Sequence, residues 1–210
     1  MTAAAAPGTE RVRNDFKDRD VEFFLVYVRE AHPGERYPAH ETSEQKIQDA
    51  KALAELEGIG AKVLVDDLDG TIHRNYGQQP NMLYVIDKEG RVFFRALWAE
   101  ETSLRRALTS LLRAEEAGEQ ATPRENLSTL VPMLYGMSEV PRVLARAGNQ
   151  SVEDFRQAMG RSALLVARGT SWLRPIFRAA PSVQSVVVGG LLVVPALVLL
   201  LKRDRKERRS

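Results

Sequence analysis

The sequence predicts an α/β fold, a mixed sheet with flanking helices, followed by a helical segment and a C-terminal transmembrane helix. Three observations carry this. Residues 15–117 alternate strand and helix patterns in the order strand, helix, strand, hairpin, helix. Residues 127–181 show helical patches only, and residues 183–201 form an uncharged apolar run of the length that spans a bilayer of ~30 Å.

Residues 1–14 open with small and polar side chains and read as a disordered N-terminus. Residues 21–28, VEFFLVYV, form a nearly unbroken apolar run, as expected of a strand covered on both faces. The helix at 43–57 starts at a capping box of Thr42 and Gln45. Its apolar face holds Ile47, Ala50, Leu53 and Ala54, and Gly58 ends it. Residues 62–66, KVLVD, form a second short strand. Residues 82–86 and 92–97 pair as an antiparallel hairpin around the turn at 87–90, whose Gly90 suits a left-handed position. Leu104, Ala107, Leu108, Leu111 and Leu112 mark a helix face.

Residues 118–126 read as a linker, and 127–181 as a helical juxtamembrane region broken by Pro132, Pro141, Gly148 and Gly160. The apolar helix at 182–201 is followed by a basic tail at 202–210, a stop-transfer pattern that predicts single-pass membrane localisation in contact with lipid. Its orientation stays open: the tail places the main domain outside, whereas residues 1–15 lack a signal-peptide core.

Composition excludes several chemistries. The 210 residues contain no cysteine, so the chain supplies no disulfide, thiolate metal site or CxxC couple. With 30 basic against 28 acidic side chains, a formal charge of +2 gives no support to nucleic-acid binding. His32, His40 and His73 lack metal-ligand spacing, and no metal or other cofactor is expected.

Three places carry candidate chemistry. The string DLDGT at 67–71 matches the first motif of haloacid-dehalogenase-type phosphatases, with Asp67 as nucleophile and Asp69 as acid/base, but the later Lys and acidic pair have no room after it. An Asp-rich turn is the plainer reading. His32 follows the end of a strand, where open α/β sheets gather ligands. Pro80 precedes a strand and reads as a rigid turn, with a cis bond as the alternative.

The strings FLVYVREAHP (24–33), VLVDDLD (63–69) and YGQQPNMLYVIDKEGRV (76–92) together resemble the iodothyronine deiodinase family of thioredoxin-like proteins. The resemblance covers about residues 15–98. It implies a thioredoxin-like mixed sheet and an oxidoreductase in which a cysteine or selenocysteine attacks iodine on an aromatic ring and a thiol reductant restores it. It assigns His32 to proton transfer with Glu30 nearby, and places Tyr76, Pro80 and Asn81 on the substrate side. Asn81 and Met82 stand where the family pattern has an acid and an arginine. The nucleophile and its strand would precede Met1, so the chain as given is expected to be inactive. The implied partners are a small aromatic or halogenated substrate and a thiol reductant; a homodimer is left open. The competing readings are a non-catalytic, membrane-tethered module binding a ligand or protein at the same surface and, more weakly, the phosphatase.

Overall fold

The structure, a computed structural model, describes residues 2–127 and 130–179. Residues up to Arg174 form one unit; the rest belong to a second, of which only residues 175–179 are described, within and just after the short helix α7 (Arg174–Arg178). The elements of the first unit run α1 (Thr2–Asp15), β1 (Phe24–Tyr27), α2 (Ser43–Glu57), β2 (Lys62–Val65), α3 (Thr71–Asn75), β3 (Leu83–Ile86), β4 (Val92–Ala96), α4 (Glu101–Glu116), β5 (Arg124–Asn126), α5 (Leu130–Ala147) and α6 (Asn149–Thr170).

Local chemistry sets the boundaries. Thr42 accepts the Gln45 amide at 3.2 Å to start α2, and Gly58 ends it in the left-handed region at φ +64°. The turn between β3 and β4 is held by Asp87 Oδ1, which accepts the amides of Glu89 and Arg91. Glu100 caps α4 by accepting the amides of Thr102 and Ser103.

The sheet departs from the single mixed sheet expected of a thioredoxin-like fold. β1 and β2 form a parallel pair, and β3, β4 and β5 form a separate sheet in which β3 and β4 are antiparallel and β5 runs parallel to β4. Among the described residues β1 and β2 pair only with each other, and their faces are not fully covered: Phe24 is 54% exposed and Leu64 43%. The expected linker at 118–126 ends in β5, whose ladder with β4 occupies backbone groups that would otherwise leave that strand as a sheet edge.

Two apolar cores result. The first joins Val12 and Phe16 of the N-terminal segment to Val85, Phe93, Phe94 and Ala96 of the hairpin and to Leu104, Ala107, Leu108 and Leu111 of α4. The expectation of disorder over 1–14 is thus corrected. Val12 is fully buried and Arg11 donates to Glu101 Oε2 at 2.9 and 2.7 Å, so tertiary contact stabilises a helix whose own propensity is poor. The second core packs Met137, Val140 and Leu144 of α5 against Phe155 and Ala167 of α6. Pro141 lies inside α5, Gly148 at φ +113° separates α5 from α6, and Gly160 at φ +85° kinks α6.

The membrane expectation is corrected as well. Among the described residues no helix is long and apolar enough to cross a membrane, and 182–201 lies outside them. Over the described residues the fold is a mixed α/β arrangement of small sheets and helices in which no helix can cross a membrane, and neither the expected span nor the single-pass localisation built on it has support there.

What ties α5 to α2 is ionic. Glu57, buried at the end of α2, accepts from Arg142 at 2.7 Å and Arg146 at 3.0 Å, while the buried Glu139 accepts from Arg142 at 2.7 Å and Arg174 at 3.0 Å. Removing one member strands charge in a low-dielectric setting, although the arginines retain some solvent. Glu57→Ala should lower stability by about 2–3 kcal/mol, read as a reduced urea midpoint at unchanged m-value.

Candidate functional site

The chain leaves the C-terminal end of β1 at Tyr27, and the loop that follows carries both residues that the sequence nominates for chemistry. The structure sends them in different directions. His32 Nδ1 lies 2.8 Å from Asp154 Oδ2 on α6, and the imidazole stands edge-on to the buried Phe155 ring at 5.0 Å between centroids. The carboxylate fixes the ring's orientation and leaves Nε2 without a partner among the described residues.

The rest of this loop holds the helices in place. A Cβ at Gly34 would lie 2.5 Å from the Ala147 carbonyl oxygen, so the close passage of the loop across the end of α5 requires glycine. The Arg36 amide donates to that same carbonyl at 3.0 Å. Glu35 Oε1 accepts the Gln150 amide at 2.9 Å in the first turn of α6, and backbone amides, its own and that of Gln150 foremost, hold its carboxyl below the usual range.

Glu30 turns instead to a polar cluster that the sequence did not reveal. The Tyr27 hydroxyl donates to Glu30 Oε1 and lies 3.4 Å from His40 Nε2, which is 3.1 Å from Asp49 Oδ2 on α2. Because the phenol hydrogen points to Glu30, both oxygens near Nε2 act as acceptors, so Nε2 carries a proton. The His40 side chain is 4% exposed. Burial, reinforced by Glu30, pushes the Tyr27 phenol well above its ordinary pKa, so it stays a neutral donor. No hydrogen bond, ion pair or ring contact among the described residues joins Glu30 to His32.

Tyr76, Pro80 and Asn81 lie on a third segment. Tyr76 stacks edge-on against Tyr84 at 4.9 Å, and the Tyr84 hydroxyl donates to the Tyr76 carbonyl at 2.8 Å. The peptide bond before Pro80 is trans. Asn81 adopts φ +62° and its carbonyl accepts the Ala99 amide at 2.8 Å, while its buried side-chain amide nitrogen has no partner among the described residues. No such interaction links these three residues to His32 or Glu30 either.

The aspartate-rich turn works as a helix cap. Buried Asp66 accepts the amides of Ile72 and His73 at 2.8 and 2.9 Å, and Asp67 Oδ1 accepts the Thr71 amide at 2.8 Å. Lys46, itself buried, reaches the Asp67 carbonyl at 2.7 Å, and desolvation lowers its pKa. The carboxylate proposed as a phosphatase nucleophile thus serves the first turn of α3. Among the described residues no group of three His, Asp or Glu side chains is placed to hold a metal ion.

Over 102 residues the chain is 29% identical to thyroxine 5-deiodinase of Sparus aurata, a match covering 44% of this chain and 37% of that protein. The chain thus spans well under half the length of that relative. No family model and no solved structure matches.

Two outcomes test these assignments. Tyr27→Phe leaves Glu30 without its donor and should destabilise the fold by about 1–3 kcal/mol in a denaturant titration. Hydrogen bonds from Thr71 lower the Asp67 pKa below its reference of 3.8, so its contribution to stability is present above that value and is lost as pH falls through the folded-state pKa. Asp67→Asn should therefore lower stability near neutrality and converge on the wild type as pH falls below about 4, so that its stability curve is flatter over that window.

Proposed function

We propose that this chain is a deiodinase-like protein that binds a halogenated aromatic ring beside His32, with His32 as the proton-transfer group and Asp154 orienting it. The observation that carries this is the 2.8 Å contact between His32 Nδ1 and Asp154, which aims the imidazole as a carboxylate aims a general base or acid. The resemblance to thyroxine 5-deiodinase supports the substrate class.

The chemistry assigns each group a task. In reductive deiodination a thiolate or selenolate takes iodine from the ring, the carbon–iodine electron pair stays on carbon, and that carbon accepts a proton. A second thiol then releases iodide and forms a disulfide. Protonated His32 supplies the proton through Nε2 while Asp154 holds Nδ1–H. These 210 residues contain no cysteine, so the sulfur or selenium must come from outside them, as a thiol or selenol, and without it the surface binds its ligand and does not turn it over. This favours the second reading, a ligand-binding module at the same surface.

Titration calorimetry with thyroxine on the full chain tests the assignment. Thyroxine should bind with a 1:1 stoichiometry, His32→Ala should weaken binding at least tenfold, and Asp154→Asn should weaken it less. Iodide release should not exceed the background of dithiothreitol alone. A His32→Ala protein that melts like the wild type and binds thyroxine equally well would remove the site from this place.

A further inference from the structure

We propose that a cleft between α4 and the segment leading into β5 binds a small organic phosphate, independently of the residues assigned above. The cleft has a volume of about 670 Å³, within the range of small-molecule sites. Arg106, Arg113 and Arg124 line it, with hydroxyls from Thr109, Ser110 and Thr122 between them.

The placement follows from the elements. Arg106 and Arg113 are seven residues apart on α4 and so share one face, opposite the side that buries Leu104, Leu108 and Leu111. Arg124 opens β5 and is fixed by its pairing with Phe94 of β4. Guanidinium groups from two elements therefore converge on one concavity.

Arg11, Arg13, Arg19, Arg91, Arg95, Arg142, Arg146, Arg156 and Arg174 are each held by a carboxylate. A fourth arginine of the cleft, Arg105, is tied to Asp15 at 2.7 Å and Glu101 at 3.2 Å. The guanidinium groups of Arg106, Arg113 and Arg124 form no ion pair or hydrogen bond among the described residues, and Glu119 is the one carboxylate among the residues lining the cleft. Arg29, Arg36, Arg161 and Arg168 also form no side-chain ion pair or hydrogen bond among the described residues, so what distinguishes Arg106, Arg113 and Arg124 is that three unpaired guanidinium groups share one cleft.

The helix macrodipole accounts for Arg113 in the last turn of α4, but places neither Arg106 a turn and more earlier nor Arg124 on another element. Guanidinium forks suit phosphate oxygens bidentately, and the hydroxyls suit the remaining oxygens or a sugar ring. The volume of about 670 Å³ suits a compact ligand better than an extended polyanion or a lipid surface.

Titration calorimetry of the full chain with AMP and with pyrophosphate at 50 mM salt tests the proposal. One equivalent of AMP should bind, Arg113→Gln and Arg124→Gln should each weaken it at least tenfold, and the double variant should abolish it. Arg161→Gln, on an exposed face of α6, should leave it unchanged. Equal binding of pyrophosphate means that the anion alone is read; tighter AMP binding means that the hydroxyls and ring contribute. Absence of binding at millimolar AMP and pyrophosphate would overturn the proposal. So would equal affinity in the double variant, or binding of an oligonucleotide or anionic vesicle where AMP does not bind. These side chains are exposed, so their replacement leaves both cores untouched.

Discussion

A carboxylate sealed away from water obliges the chain around it to bring cations, and Glu57 imposes that condition at the end of α2. Arg142 and Arg146, one turn apart on α5, answer it together. Arg142 also reaches Glu139, which draws in Arg174, so the end of α2, the body of α5 and Arg174 are tied together through two buried acids. Once α5 is set, the break at Gly148 aims α6 back toward the loop after β1. That is how Asp154 and Phe155, over 120 residues beyond His32, come to hold its ring.

The loop that carries the family-like string therefore has a structural duty here. Its glycine permits backbone contact with Ala147, its Glu35 caps α6, and its histidine is gripped by α6. A catalytic or binding role for His32 is compatible with this, because Nδ1 serves the scaffold and Nε2 does not. Glu30 belongs to a different neighbourhood, in which Tyr27, His40 and Asp49 satisfy one another in a site with little water.

Elements whose signals are local were legible in the sequence. Thr42, Gln45 and Gly58 delimit α2, the 87–90 turn closes the hairpin, and the leucine stripe of α4 faces the core, because each depends on neighbours within a few residues. Features set by distant partners were not. α1 has weak helical character and is stabilised by Val12, Phe16 and the Arg11 pair with Glu101. β5 carries no apolar alternation and is defined by its ladder with β4. The division into two sheets is a matter of which strand edges meet. Of the candidate site, His32 was legible as a strand-end residue. Its partner Asp154 lies in a segment that reads as a separate helical region, and the buried His40–Asp49 contact joins a loop to a helix face with no motif to announce it.

The contact between α1 and α4 also bears on how the chain is made. Arg11 and Glu101 are 90 residues apart, and Val12 finds its apolar neighbours only when the 104–111 stripe exists. At a ribosomal rate of roughly 5–20 residues per second, α1 emerges from the ribosome about 5–18 s before its partner does. In that interval its apolar residues have only transient cover. Such a high sequence separation slows folding, because loop closure must precede the contacts that stabilise it. A helix synthesised 90 residues ahead of its partner is thus among the last to acquire its native surroundings.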